Sequence, residues 1–107
     1  KDEFKCVHYV RLPLFAQGNL MEWISKNVVY PKDAIQNNWE GKIVIGFTVE
    51  LDGSLSNVHV IKGGAYSLNV EAVRLMKSAP KFIPAWCPLH QQNVRRDLTV
   101  TISFNLQ

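Results

Sequence analysis

Two runs of alternating apolar and polar residues constrain the fold of this 107-residue chain more than any other feature. In residues 42–51 the apolar side chains fall at every second position: Ile43, Ile45, Phe47, Val49 and Leu51. The same period returns in residues 98–106, with Leu98, Val100, Ile102, Phe104 and Leu106. A period of two is typical of a strand that places one face on a core. We therefore predict two amphipathic strands in a sheet that is covered on one face.

A hairpin is predicted directly after the first of these strands. Asp52-Gly53 is the residue pair that supplies the positive φ angles of a two-residue type I′ turn. The return strand is predicted over residues 55–61, where Val58 and Val60 share a face and Leu55 is out of phase with them. We expect a bulge near Ser56-Asn57, because one extra residue restores the register.

Two other segments have helical periodicity. In residues 17–28 one face carries Leu20, Met21, Ile24 and Val28, and the helix is expected to end before Tyr30-Pro31, because a residue that precedes proline disfavours the α conformation. The second helix is predicted to begin at Ser67 as N-cap and to end before Pro80. Its apolar stripe consists of Leu68, Ala72, Leu75, Met76 and Ala79.

The remaining segments have weaker signals. Residues 4–12 are rich in β-branched and aromatic types and predict a short strand that ends at Pro13. Residues 32–38 predict a short helical turn. Residues 80–93 contain three prolines without any period, so an extended loop is expected there.

The predicted order is β-α-β-β-α-β, and the fold class is α+β. Antiparallel strands with one polar face need helices on the opposite face only. We predict a two-layer sandwich, in which a sheet of about three to four antiparallel strands packs against two helices on one face. The 107 residues suit one domain, in which residues 1–12 form an N-terminal extended segment.

Charge and composition favour a globular protein with acidic partners. Residues 54–107 hold six Lys and Arg against two Asp and Glu, and such a basic half steers acidic partners towards it. No run of Lys and Arg is interleaved with aromatic residues, so nucleic acid is not an expected partner. No apolar run reaches the roughly 20 residues that span a bilayer.

Two short motifs contain cysteine and histidine, the residue types that bind metals or act as nucleophiles. Cys6-x-His8 and Cys87-x-x-His90 could supply four zinc ligands. A disulfide between Cys6 and Cys87 in an oxidising compartment, or two separate buried cysteines, explains the same residues more simply. Neither a nucleophile motif, a phosphate-binding loop nor a dinucleotide glycine pattern occurs, so we predict no enzyme, metal or cofactor.

An ordered set of short motifs resembles the TonB C-terminal domain family. The set begins with Pro13-x-Phe15-x-x-Gly18 and Tyr30-Pro31, and continues with the strand that starts at Gly41 and with Asp52-Gly53. It ends with Glu71-Ala72, then Pro80-Lys81-Phe82-Ile83-Pro84 and the strand over residues 94–104. No motif in the set is specific alone, but their order and spacing match the family from Pro13 onward.

The resemblance implies the periplasmic domain of an energy transducer. Such a protein is anchored to the inner membrane through an upstream helix and linker, neither of which lies in this chain. It transmits force from a proton-driven inner-membrane complex to outer-membrane transporters, by adding the extended TonB-box peptide of a transporter to a sheet edge. The alternative is a diverged interaction domain of the same fold in a sensor or cell-envelope scaffold. A monomer and a dimer joined through the same edge both stay open.

The resemblance also assigns the contact residues. The peptide-binding strand is expected to consist of Thr99, Val100, Thr101, Ile102, Ser103, Phe104 and Asn105. The segment that faces the transporter is expected to be Asn27, Val28, Val29, Tyr30 and Pro31. From their charge, Arg95 and Arg96 are predicted to help hold an acidic peptide.

Overall fold

The computed structural model describes residues 10–106. In this range the chain forms three helices: α1 Leu20–Asn27, α2 Lys32–Gln36 and α3 Tyr66–Lys77. It also forms seven strands: β1 Leu14–Phe15, β2 Gly41–Val49, β3 Leu55–Lys62, β4 Phe82–Ile83, β5 Ala85–Cys87, β6 Gln92–Val94 and β7 Arg96–Phe104. None of these helices is long and apolar enough to cross a membrane. The predicted α+β class is confirmed.

The main sheet has the antiparallel order β3-β2-β7. The two strands with strict alternation, β2 and β7, lie side by side in an unbroken register from Gly41 opposite Phe104 to Val49 opposite Arg96. Two further two-stranded antiparallel sheets are formed by β1 with β4 and by β5 with β6. Arg11 forms an isolated bridge with Trp86. The strand predicted over residues 4–12 lies mostly outside the described residues.

One face of the sheet carries the core, as its period predicts. The buried apolar side chains of β2 and β7 point to this face: Ile43, Ile45, Phe47, Val49, Val100, Ile102 and Phe104. Helix α3 packs on β2 and β3, and α1 and α2 add Ile24 and Ala34 to the same cluster. The opposite face exposes Thr99, Thr101 and Ser103 on β7. The two-layer arrangement is therefore confirmed, with α2 as the predicted short helical turn.

The predicted type I′ hairpin turn is wrong. Of its residues only Gly53 has a positive φ, and its N–H donates to the Glu50 carbonyl at 2.9 Å. Glu50 N–H donates to Ser54, so the loop holds three residues, with Gly53 in the left-handed position of a bulge. Leu51 therefore lies in the loop and is exposed, although the period placed it on the core face. The bulge predicted near Ser56-Asn57 is present, with Asn57 at φ 54°.

Three other predictions need correction. Helix α1 begins at Leu20 and not near residue 17, because the Asn19 side chain accepts the Glu22 N–H and caps the helix there. Its buried face also differs from the prediction, since Met21 is exposed and Trp23 is half-buried. Helix α3 begins one residue before Ser67 and is preceded by Ala65. Residues 80–93 are not one extended loop, because β4 and β5 lie there and β6 begins there.

Candidate peptide-binding site

Strand β7 has one free edge among the residues that the structure describes. Its other edge is fully paired with β2, and the pairing contains no register shift. Every second residue of such an edge directs its backbone N–H and C=O outward, which is a template for another strand. Of the seven predicted binding residues, the side chains of Val100, Ile102 and Phe104 are buried. The other four are exposed, and Asn105 lies just beyond the end of the strand: Thr99, Thr101, Ser103 and Asn105.

The opposite edge of the sheet, on β3, is irregular. The register between β2 and β3 shifts between Val44 and Ile45, and again between Gly46 and Thr48. Asn57 has a positive φ, and Lys62 ends the strand with a charge. Bulges and lysines are the features that discourage a further strand from pairing. The two edges therefore differ, and β7 presents the more regular backbone.

Tyr30 joins the predicted transporter-facing segment to the end of β7. The Tyr30 ring packs edge-on against Phe104, with 5.5 Å between ring centroids. Its hydroxyl donates a short hydrogen bond to the Trp39 carbonyl. Loss of hydration, and then the charge of Glu40, raise the pKa of Tyr30 above its usual value. The predicted segment and the predicted strand thus meet at this ring pair.

The rest of that segment is held by α3, through residues that the sequence did not single out. The Glu71 carboxylate is 7% exposed and accepts the Val29 N–H at 2.7 Å. Arg74 donates to both oxygens of Glu71 at 2.7 Å, and to the Asn27 carbonyl at 3.3 Å. Burial raises the pKa of Glu71, but the hydrogen bonds from Arg74 and Val29 and the charge of Arg74 lower it further, to below its usual value.

Glu71 could have been noticed from its position in the helix. Its apolar neighbour Ala72 lies on the predicted core stripe, and Arg74 follows at the i,i+3 spacing of a helical ion pair. The local sequence does not predict, however, that the carboxylate accepts the N–H of Val29, which lies 42 positions away.

The two predicted arginines lie at the opposite end of β7 from Tyr30. Arg96 is the first residue of β7, across from Val49, and Arg95 immediately precedes it. Arg95 Nε donates to Glu50 Oε1 at 2.7 Å. Two hydrogen bonds lower the pKa of Glu50: the larger effect comes from the short bond that Ser56 donates, and the smaller from the bond that Arg95 donates. A strand of nine residues is about 27 Å long. The structure therefore brings Tyr30 to one end of β7 and the arginines to the other.

The cysteine and histidine predictions can be placed only in part. Cys87 is buried on β5, and its Sγ lies 3.4 Å from His90 Nδ1. No cysteine of the described residues is free, and these residues contain no group of three or more candidate metal ligands. Cys6 and His8 lie outside the described residues. The Cys6–Cys87 disulfide therefore stays a prediction.

The exposed groups along this edge are suited to binding an extended chain. The free β7 edge offers backbone donors and acceptors, flanked by short hydroxyl side chains and bracketed by an aromatic pair and two guanidinium groups. Such an edge can accept an extended peptide as a further strand.

Comparison with known proteins places these features in a family. The family model described as "Gram-negative bacterial TonB protein C-terminal" matches residues 26–106. The TonB proteins of two Helicobacter pylori strains, J99 and 26695, are each 36% identical over 62 residues, which cover 57% of this chain. The chain spans only about a fifth of the length of these relatives, since the match covers 22% of each.

Solved structures agree with the sequence matches. A longer fragment of the H. pylori TonB C-terminal domain, solved by NMR in solution, superimposes with a TM-score of 0.64 at 28% identity, covering 81% of this chain and 77% of that one. A shorter fragment of the same domain gives a TM-score of 0.53 at 30% identity, covering 77% and 86%. With most of its length matched by the family model, and with the same fold in the solved domain, the chain belongs to the TonB C-terminal domain family.

Proposed function

We propose that this domain binds the TonB-box peptide of an outer-membrane transporter as an added strand on the free edge of β7. The observation that carries the proposal is the contrast between the two edges of the main sheet. β7 has a continuous register and carries neither proline nor lysine, whereas β3 has two register shifts and a terminal lysine. Family membership supports the same partner, because TonB proteins interact with outer-membrane transporters.

The proposed role of the parent protein is mechanical. A domain of this family works in the periplasm and is anchored through an upstream segment to the inner membrane, where a proton-driven complex supplies the force. Hydrogen bonds between paired strands lie across the strand direction, so a pull along the strands loads them together. Each backbone hydrogen bond contributes a net ~0.5–1.5 kcal/mol, so a handful of them gives a contact of modest affinity that resists pulling. The domain acts as a tether and not as an enzyme.

The contacts at the two ends of β7 set the chemistry of the peptide. Arg96, with Arg95 beside it, favours an acidic residue in the part of the peptide near the start of β7. Tyr30 and Phe104 favour an apolar contact at the other end. The exposed Thr99, Thr101 and Ser103 are small, so they allow the backbone of a peptide to approach the edge closely.

The proposal is tested by NMR titration of the ¹⁵N-labelled domain with TonB-box peptides from co-encoded transporters. We expect chemical shift changes in residues 99–105 and 27–30. Two control peptides carry the same side chains, but their backbone amides are N-methylated at alternate positions. Only the set whose amides face β7 should lose affinity, by about tenfold or more if two hydrogen bonds of ~1 kcal/mol are removed.

Three results would refute strand addition on the β7 edge. Equal effects of the two methylated peptides would show that the contact does not use alternate main-chain hydrogen bonds. Shift changes centred on β3 would move the site to the other edge. A folded domain that shows no changes at millimolar peptide would favour the diverged interaction domain of a sensor or scaffold.

A further inference from the structure

The entering chain runs antiparallel to residues 82–86 in a single register. Three pairs share this register: Arg11 with Trp86, Leu14 with Ile83, and Phe15 with Phe82. Pro13 falls opposite Pro84 in the same register, and neither proline has an N–H to donate. The pairing between the entering chain and the domain is therefore short and interrupted in its middle.

Arg11 joins the entering chain to β5. Its N–H donates to the Trp86 carbonyl at 2.8 Å, and its carbonyl accepts the Trp86 N–H at 3.0 Å. Its guanidinium group donates to the Pro84 carbonyl at 3.1 Å. On the other side of β5, Trp86 lies opposite Asn93 of β6, and β6 leads through Arg95 directly into β7. The entering chain and the proposed peptide-binding strand are thus connected through β5 and β6.

The end of β5 carries a cysteine. Cys87 is the last residue of the strand, is fully buried and is not a free thiol. The chain contains one other cysteine, Cys6. The register of the entering chain places Val10 opposite Cys87, one pair beyond Arg11 and Trp86. Cys6 precedes Val10 by four positions, which span at most about 14 Å, so Cys6 is within reach of Cys87.

We propose that a disulfide between Cys6 and Cys87 carries the pulling force past most of the domain. Force that arrives from upstream of Cys6 crosses the S–S bond to Cys87 and passes through β6 to β7, where the peptide is bound. Residues 7–86, which include α1, α2, α3, β2 and β3, lie outside this covalent route. This inference rests on the proposed function and adds to it the route by which the domain is loaded.

Without the disulfide, the same force would enter through residues 10–15. Their pairing with residues 82–86 is short and interrupted at the prolines, so a pull on the upstream chain would peel it. The load would then reach α1 and, beyond it, β2, the strand that pairs with β7 over its full length. Loss of β2 would remove the support of the peptide-binding strand, and the covalent route avoids this.

Formation of the bond needs an oxidant, and the chemical class proposed is a protein disulfide of the oxidising compartment. The thiols of Cys6 and Cys87 lose two protons and two electrons as their S–S bond forms, and the acceptor disulfide is reduced to two thiols. Structural disulfides form and persist in the bacterial periplasm, where a domain of this family works.

The bond itself is tested by thiol titration in denaturant and by intact mass. The domain is exported to the periplasm of an expression host and isolated without reductant. We expect no free thiol in the wild type and one in Cys6→Ser, while the matched control Lys5→Ser changes the neighbouring residue and keeps the bond. Reduction should add two hydrogens to the wild-type mass. Two free thiols in the folded wild type, or a disulfide-linked dimer, would overturn the inference.

The route of the force is tested by single-molecule stretching between residues 1 and 107. The fully extended wild type should be shorter without reductant than with it by roughly 270–290 Å, because the cysteines are 81 positions apart and each extended residue adds about 3.3–3.6 Å. Without reductant, Cys6→Ser should match the reduced wild type, and Lys5→Ser should match the oxidised one. The comparison uses the extended chain, so it holds even if a variant does not refold.

The Kd of the TonB-box peptide separates this inference from the proposed function. It should differ less than twofold between the oxidised wild type and Cys6→Ser, because neither cysteine lies on the free edge of β7. Equal extended lengths of the oxidised and reduced wild type, with normal peptide binding, would refute the covalent route alone. An oxidised domain that has the shorter extended length but binds no peptide would refute strand addition, and the proposed delivery of force to β7 with it.

Discussion

Replacing Gly53 with alanine is expected to destabilise the domain more than adding a methyl group at any other position of the β2–β3 hairpin. Gly53 has φ +87°, which costs a non-glycine residue roughly 1–2 kcal/mol. A Cβ at this position would lie 2.0 Å from the Phe82 carbonyl oxygen, so the backbone of β4 would have to move. Overpacking of this kind costs about 1–3 kcal/mol. The movement would also weaken the 2.8 Å hydrogen bond from the Phe82 N–H to the Gly53 carbonyl, worth ~1 kcal/mol.

Together these effects predict a loss of roughly 3–6 kcal/mol, a large part of the 5–15 kcal/mol that is typical of a domain. Gly18 provides the matched control, because it has φ +102° but no atom within 4 Å of an added Cβ. Gly18→Ala should therefore lose only the conformational cost, about 1–2 kcal/mol. Urea unfolding followed by tryptophan fluorescence measures both. Equal losses in the two variants would refute the argument that Gly53 is required by close packing against β4.

Three further substitutions or conditions test the packing around the site. Tyr30→Phe should cost ~1 kcal/mol in urea unfolding, because it removes the hydroxyl bond to Trp39 but keeps the ring contact with Phe104; a loss above 3 kcal/mol would contradict this division. Phe82→Ala should cost about 3–5 kcal/mol by the same measurement, since this buried ring contacts Phe15 and Phe47, and a loss below 1 kcal/mol would show that the cluster is not part of the core. The pKa of Glu71 is lower in the folded state than its usual 4.5, so the pair stabilises the native state above about pH 4.5 and this contribution is lost as the pH falls through the folded-state pKa. Unfolding free energies between pH 3 and 7 should therefore fall less steeply towards acid in Glu71→Gln, and parallel curves would contradict the expectation.

The parts of the fold that the sequence predicts are those with a long internal period. β2, β7 and α3 each contain enough residues for their apolar stripe to be read, and each has the predicted buried face. β4, β5 and β6 have two or three residues each, which is too short for any period. They form because distant partners pair with them, such as Leu14 with Ile83, and no local pattern contains that information.

The candidate site was predictable to a similar extent. The alternation in residues 98–106 predicted the buried face of β7 but left open whether the strand is central or at an edge. The resemblance identified this strand as the pairing strand and also identified the loop that holds Tyr30. The role of Glu71 was not predictable, because an acidic residue in an amphipathic helix is normally solvated. Its burial depends on Val29, which lies 42 positions away and is brought to α3 only by the tertiary fold.

Amide hydrogen exchange of β7, with and without the TonB-box peptide, tests strand addition most directly. In the free domain the amides that face β2 should exchange slowly, and the intervening amides of residues 99–105 should exchange fast. Peptide should protect the second set and leave the first nearly unchanged, so that protection extends along the strand at every second residue. Protection that appears uniformly, or that appears on β3 and not on β7, would contradict strand addition on this edge.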